Sequence, residues 1–153
     1  MLCDEDGLFP ASFNSSWENK VLLAELEREG NIAWYRNPAR ASQDSLGVTY
    51  EEEGGETKIV RPDFIFFARL PDSSIVADIV DPHGYHLADA LPKLQGLARY
   101  AETNAEHFRR IEAVTAIGNG YKVLDISEPA VRAAIHDATN AKTLYESSFA
   151  TEY

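Results

Sequence analysis

Residues 75–81 (IVADIVD) constrain the fold more than any other segment. Their nearly continuous apolar run is typical of a strand that is buried on both faces of a sheet. The preceding segment, RPDFIFFARL, predicts a second strand that begins just after Pro62, and PDSS between the two predicts a turn. We therefore expect these two strands to form an antiparallel hairpin near the centre of a sheet.

The rest of the chain alternates predicted helices and strands. Helical spacing predicts helices over 17–29 and 87–107, and Ser127 followed by Glu128 and Pro129 begins another at 127–138. Strands are predicted at 31–38, 111–118 and 121–126, and a hairpin has its arms at 48–52 and 57–60. The order α-β-ββ-β-α-β-β-α predicts one α/β domain with a central mixed β-sheet flanked by helices.

The predicted domain covers residues 14–140. Residues 1–13 are interpreted as an N-terminal lead-in, and residues 141–153 as a C-terminal tail or short helix. The single cysteine, Cys3, excludes an internal disulfide and favours a reducing compartment. The chain has no apolar run of membrane-spanning length, and its acidic N-terminus is unlike a signal peptide. We expect a cytoplasmic protein without membrane contact.

The charge balance weighs against one class of function. The chain has 25 acidic and 14 basic residues, a formal net charge of −11. This disfavours a protein held on nucleic acid mainly by a basic surface, although a net charge does not exclude a local basic groove. His107, Arg109 and Arg110 form a small basic cluster, which we interpret as a solvated helix end.

Carboxylates flank the predicted central hairpin. Asp63 stands at the start of the first strand and Asp78 near the end of the second, 15 positions later. Antiparallel pairing predicts that these two side chains converge at one end of the sheet, where they would hold Mg²⁺ or Mn²⁺. Asp81 and His83 follow closely, and His83 is either a ligand or general base or a residue that orders the loop.

These residues carry a resemblance to a known superfamily. The order of elements, together with RPDFIFF and IVADIV, resembles the restriction-endonuclease-like core of PD-(D/E)XK nucleases. Pro62-Asp63 matches the first half of that motif, and Asp78-Ile79-Val80 occupies the second. Val80 stands where the catalytic lysine is expected. Some members of the superfamily place this lysine on the following helix, which implies Lys93.

A narrower resemblance covers roughly residues 14–125. WENKVLLAELE, IAWYRNP, PDFIFF and DPHG…PKLQGLARYAE are together similar to the C-terminal nuclease region of helicase-containing, type III-like restriction subunits. In that family an acidic residue on the first helix often completes the metal site, and Glu18 occupies that position. The resemblance implies DNA as substrate, a helicase or ATPase module as partner, and a role in restriction or phage defence. The chain itself has no GxxxxGK[ST] phosphate loop.

Three further residues are candidates for substrate binding. Arg36 and Asn37 end the aromatic strand and could position a phosphate, and Gln95 could contact a phosphate or a metal-bound water.

Two main functional hypotheses remain. The first is a Mg²⁺- or Mn²⁺-dependent DNA endonuclease, with Lys93 or His83 orienting or deprotonating the attacking water; a homodimer is the default expectation for cutting two strands. The second is a catalytically inactive docking module, favoured by the net charge and by Val80 at the lysine position. A third, mimicry of DNA charge, is weakened because the acidic residues are scattered along the sequence.

Overall fold

The computed structural model describes residues 16–52 and 54–153, so Cys3 and the predicted lead-in lie outside the described residues. The helices are α1 (Ser16–Leu26), α2 (Ala90–Asn104), α3 (Pro129–Asp137) and α4 (Ala141–Tyr145). The strands are β1 (Asn31–Arg36), β2 (Val48–Glu51), β3 (Thr57–Val60), β4 (Phe64–Arg69), β5 (Ile75–Pro82), β6 (Phe108–Ile117), β7 (Gly120–Asp125) and β8 (Ala150–Glu152). The predicted α/β class, with a central mixed sheet flanked by helices, is confirmed. The order of elements differs from the predicted one in two places, because five strands and not four lie between α1 and α2, and α4 and β8 follow α3.

Six strands form a mixed central sheet in the order β1-β4-β5-β6-β7-β8. The crossover through α2 makes β5 and β6 parallel, whereas every other pair of neighbours is antiparallel. The hairpin of β2 and β3 forms a separate two-stranded sheet. The central hairpin of β4 and β5 is therefore present as predicted, and β5 lies between β4 and β6.

Hydrophobic side chains cover both faces of the central sheet. On one face α1 packs against β4, β5 and β6, through residues that include Val21, Phe64 and Val80. On the other face α2, α3 and α4 pack against Ile79 and Ile111. The burial of Ile79 and Val80 on opposite faces confirms that β5 is covered on both sides.

Two differences from the sequence prediction concern the ends of elements. The long helix was expected over 87–107, but α2 ends at Asn104, a short 3₁₀ turn follows, and β6 begins at Phe108. The basic cluster therefore lies largely in a strand and not at a helix end. The expected short helix in 141–153 is α4, and β8 after it pairs with β7.

The β2–β3 hairpin sits unusually close to α2. A Cβ atom on Gly96 would lie 2.5 Å from the Cβ of Tyr50 and 3.3 Å from the carbonyl oxygen of Thr49. Such a distance is shorter than any non-bonded carbon contact can be, so only glycine permits this approach of helix to strand. Tyr50 is buried in this contact.

Gly96→Ala is expected to lower the free energy of unfolding by about 1–3 kcal/mol, because the displacement of β2 outweighs the gain of up to about 1 kcal/mol in helix propensity. Urea denaturation followed by circular dichroism measures the effect. Gly120→Ala is the matched control, since its added methyl meets only a Glu152 carboxylate oxygen at 3.7 Å. Equal stability of Gly96→Ala and the wild type would show that the hairpin is not held at this spacing.

Candidate functional site

The register of β4 and β5 decides which carboxylates meet. Phe64 pairs with Val80 and Phe66 with Asp78, so the continuation of this ladder places Asp63 opposite Asp81. The backbone N–H of Asp63 donates a hydrogen bond of 3.0 Å to Oδ1 of Asp81. The expected convergence of Asp63 and Asp78 is therefore wrong, and Asp81 is the carboxylate beside Asp63.

Asp78 lies on the α1 face of the sheet, where it is fully buried and bound by two arginines. Nε of Arg109 donates to Oδ1 at 3.0 Å, and Oδ2 accepts from Nη2 of Arg109 and, at 2.8 Å, from Nη2 of Arg110. Burial alone would raise the pKa of Asp78, but these hydrogen bonds outweigh it and lower the pKa. Asp78 is thus an ionised structural carboxylate, which removes the main geometric argument for metal binding at this residue.

The arginines on β6 extend this pair into a network beneath α1. Arg110 binds Glu25 of α1 at 2.7 Å and its strand neighbour Glu112 at 2.8 Å. The hydroxyl of Tyr153 donates to Glu25 at 2.6 Å. These contacts therefore link α1, strands β5 and β6, and Tyr153 after β8 through one network of buried charged groups. The interpretation of this basic cluster as solvated is wrong for Arg110, whose side chain is 13% exposed.

Asp81, on the opposite face of β5 from Asp78, lines a cleft of about 250 Å³. Five side chains with polar or charged groups line it: Arg61, Asp63, Asp81, His83 and Lys93. They come from the β3–β4 connection, the end of β5 and the second turn of α2. This cleft is where the structure brings together three of the predicted site residues, Asp63, His83 and Lys93.

Both carboxylates in the cleft hold protons more tightly than usual. Burial raises the pKa of Asp63 to about 6, although the nearby Arg36 partly offsets this effect. Burial, and then the charge of Asp63, raises the pKa of Asp81 to about 7. Two partly desolvated carboxylates side by side are destabilised in the ionised form, which a bound cation would relieve.

Glu18 reaches this cluster through an arginine. Nη2 of Arg36 lies 3.1 Å from Oε2 of Glu18 and 3.2 Å from Oδ1 of Asp63, and the guanidinium stacks on the ring of Phe64 at 4.6 Å. Glu18 and Arg36 therefore lie next to Asp63, while their predicted roles in metal and phosphate binding stay predictions. The bridge also means that Arg36 already binds carboxylates in this state.

His83 and Lys93 form the opposite side of the cleft. The backbone N–H of His83 donates to the carbonyl of Val114 at 2.8 Å, which fixes the loop after β5. Nε2 of His83 is buried, has no hydrogen-bond partner and lies 3.6 Å from Asp89. Burial and then the charge of Lys93 lower the pKa of His83, so its imidazole is neutral at pH 7. Nζ of Lys93 binds Asp89 at 2.7 Å.

Two predicted substrate-binding residues, Asn37 and Gln95, do not line the cleft. Asn37 is buried and its amide is fully engaged, because Nδ2 donates to the carbonyls of Leu46 and Pro62 and Oδ1 accepts from the N–H of Leu46. It is therefore a structural clamp that holds the chain ahead of Asp63. Gln95 lines a separate groove between the β2–β3 hairpin and α2, so it does not meet the cleft.

The cleft offers a hard divalent cation two carboxylates, Asp63 and Asp81, and among the described residues no third acidic side chain lines it. Within residues 16–52 and 54–153, no three His, Cys, Asp or Glu side chains are grouped so that they could hold a metal ion. Mg²⁺, however, commonly binds proteins through one or two carboxylates and completes its coordination with waters and substrate oxygens. Asp63 and Asp81, adjacent and costly to ionise, fit that pattern.

The fold and the cleft define an α/β protein whose mixed sheet carries a buried carboxylate, Asp81, and a partly buried one, Asp63, at the ends of two central strands. The profile of the YagJ family matches residues 1–153, and the chain belongs to this family. It is 50% identical over 153 residues to Protein YagJ of Escherichia coli (strain K12), an alignment that covers all of this chain and 62% of that protein. No solved structure matches the chain.

Sequence reasoning underestimated two residues. Asp81 was noted only as part of a cluster around Asp78, although the alternation of strand side chains separates residues 78 and 81 onto opposite faces. Arg61 directly precedes the Pro62-Asp63 pair and was overlooked.

In the part of the chain that the structure describes, no helix has the length and apolar character needed to cross a bilayer.

Asp78→Asn is expected to lower the free energy of unfolding by about 3 kcal/mol at pH 7, because it removes the buried negative charge that Arg109 and Arg110 bind together. Urea denaturation measures this, with the exposed Glu27→Gln as control. The ionised form of Asp78 stabilises the fold above the ordinary aspartate pKa of about 4, so the loss should shrink as the pH falls below that value. A loss that does not change with pH would contradict this account.

Asp81→Asn is expected to have the opposite pH dependence. The raised pKa of Asp81 stabilises the folded state at low pH, and this contribution is lost as the pH rises from about 4 to about 7. The free energy of unfolding of the variant, relative to that of the wild type, should therefore rise by about 1–3 kcal/mol between pH 5 and pH 8. Urea denaturation in EDTA across this range tests it, and parallel stability curves would refute a buried, titrating Asp81.

Proposed function

We propose that this chain carries a divalent-metal-dependent phosphodiester hydrolase site that acts on DNA. The observation that supports it most strongly is the pairing of Asp63 with Asp81 in a cleft that also holds His83 and Lys93. Two adjacent carboxylates, one buried and one partly buried, beside a neutral imidazole and an ammonium form a donor set suited to hydrolysis at a phosphate.

The corrected register strengthens the resemblance to PD-(D/E)XK nucleases. With Asp81 beside Asp63, the triplet Asp81-Pro82-His83 takes the position of (D/E)xK, and His83 stands where the lysine is expected. The path from α1 through the antiparallel strands β1, β4 and β5, and through α2 to the parallel β6, agrees with a restriction-endonuclease-like core. Lys93 on α2 supplies a lysine to the same cleft.

Asp63 and Asp81 would hold Mg²⁺ or Mn²⁺, with Glu18 near enough to act through Arg36. When bound, such an ion activates water and neutralises charge that develops on a phosphate. Nε2 of the neutral His83 makes no hydrogen bond, although Asp89 lies 3.6 Å away, and in the tautomer with its proton on Nδ1 it can accept a proton from an attacking water. The ammonium of Lys93 can bind a phosphate oxygen, provided that it leaves Asp89.

The biological setting of this activity is proposed from the resemblance alone. We propose that the protein acts in the cytoplasm, in restriction or phage defence, and that its partner is a helicase or ATPase module. A homodimer would suit cleavage of two strands. The chain spans 62% of the length of its Escherichia coli relative, so these partners concern the whole protein as much as this domain.

A catalytically inactive docking module is the second candidate, and one observation favours it. Arg36 occupies Oδ1 of Asp63 at 3.2 Å, which is where a cation would bind. A guanidinium can replace a lost metal as the counter-charge for a carboxylate pair. The net charge of −11 also opposes tight binding to DNA.

Calorimetric titration of Mn²⁺ at pH 8 separates the two candidates. The wild type should bind saturably, and Asp63→Asn or Asp81→Asn should weaken binding at least tenfold, because each removes an anionic oxygen ligand. Gln95→Ala, outside the cleft, is the matched control. Cleavage of plasmid and oligonucleotide DNA with Mg²⁺ or Mn²⁺ then tests activity.

In that assay His83→Ala and Lys93→Ala should each lower the cleavage rate about 100-fold or more while Mn²⁺ binding persists. Absence of Mn²⁺ binding by the wild type at millimolar concentration would overturn the metal site and favour the docking module. Metal binding without cleavage of any DNA form would overturn the assignment of DNA as the substrate.

A further inference from the structure

We propose that Arg61 forms a phosphate-binding subsite in this cleft, one that binds a phosphodiester or inorganic phosphate without a metal ion. Arg61 lines the cleft together with Asp63, Asp81 and Lys93. Its role in DNA cleavage rests on the function proposed above, but binding of the anion itself does not.

The strongest observation is an unsatisfied donor. Nε of Arg61 is buried and has no hydrogen-bond partner in the structure. Among the described residues, Arg61 also has no carboxylate within 4.0 Å, whereas Arg36 binds Glu18 and Asp63 and Lys93 binds Asp89. A buried N–H left unpaired is costly, and the cost is higher on a charged group. The cleft therefore presents a cation that a bound anion would satisfy.

The chemistry of the side chain selects the type of anion. A guanidinium offers Nε–H and Nη–H donors in a planar fork that matches two oxygens of a phosphate, and it stays charged at every accessible pH. Arg61 is partly exposed and its buried Nε donor is free, so its guanidinium is suited to this bidentate contact. Chloride, a single spherical acceptor, cannot use both donors in this way.

The position of Arg61 limits how far the site can adapt. The residue follows buried Val60 of β3 and precedes Pro62, whose carbonyl is held by the Asn37 clamp at 2.8 Å. Its backbone is therefore held from both sides, close to the carboxylate of Asp63. An anion bound by Arg61 would lie within the same cleft as the proposed metal ligands.

The size of the cleft restricts the ligand further. Its volume of about 250 Å³ is below the roughly 300–1,000 Å³ of pockets that enclose whole drug-sized molecules. The cleft thus has room for one phosphate group with a few waters, while an attached nucleoside would stay outside. This favours contact with the backbone of a nucleic acid over recognition of a base.

Nuclear magnetic resonance can observe the proposed donor directly. In EDTA, titration of inorganic phosphate into the ¹⁵N-labelled protein should shift the Arg61 Nε–H resonance saturably, and sodium chloride at equal ionic strength should not. Arg61→Gln should weaken phosphate binding at least tenfold. Arg61→Lys keeps the charge but loses the fork, so it should bind with intermediate affinity. Arg69→Gln, an exposed arginine at the far end of β4, is the matched control.

The outcomes separate this proposal from the one above. Saturable phosphate binding that depends on Arg61 supports the subsite even if Mn²⁺ does not bind. No shift of the Arg61 resonance in the wild type, or an equal effect of Arg61→Gln and Arg69→Gln, overturns the subsite even if Mn²⁺ does bind. Because the first readout uses the wild type, a variant that fails to fold cannot obscure the result.

Discussion

The antiparallel register of β4 and β5 is the constraint on which the rest of the structure depends. Strand side chains alternate between faces, so a shift of one residue would move every side chain to the other side of the sheet. In the observed β4–β5 register Asp81 meets Asp63 in the cleft, and Asp78 is placed on the other face, where the parallel pairing of β5 with β6 sets it beside Arg110. Two carboxylates three residues apart therefore have opposite environments, and their pKa values move in opposite directions.

Periodicity was enough to predict most of the fold. The apolar run of β5 required layers on both faces, and the order of elements followed from helix and strand spacing. The short strand β8 could not be predicted, because ATE has no strand pattern and forms by pairing with β7.

The candidate site was harder to predict than the fold. Resemblance to a motif directed attention to Asp78, whereas strand alternation, applied strictly, would have grouped Asp81 with the cleft.

Buried charged groups have different partners beneath α1 and in the cleft. Beneath α1, the carboxylates of Asp78 and Glu25 are each bound by Arg110, so both have a cationic partner, although Nε of Arg110 itself has no hydrogen-bond partner. In the cleft, the carboxylate pair is costly to ionise and two buried nitrogens, on His83 and Arg61, lack partners. A cavity that holds a carboxylate of raised pKa beside buried nitrogens without hydrogen-bond partners is more typical of a ligand site than of a folded core.

The close contact at Gly96 has a consequence for the width of this cleft. Lys93 stands three residues before Gly96 on α2, and the hairpin that packs on Gly96 leads through β3 to Arg61. The contact between Gly96 and Tyr50 therefore sets the spacing between two walls of the cleft. A larger residue at position 96 would move those walls apart, so the width of the cleft depends on a residue that has no side chain and does not line the cleft.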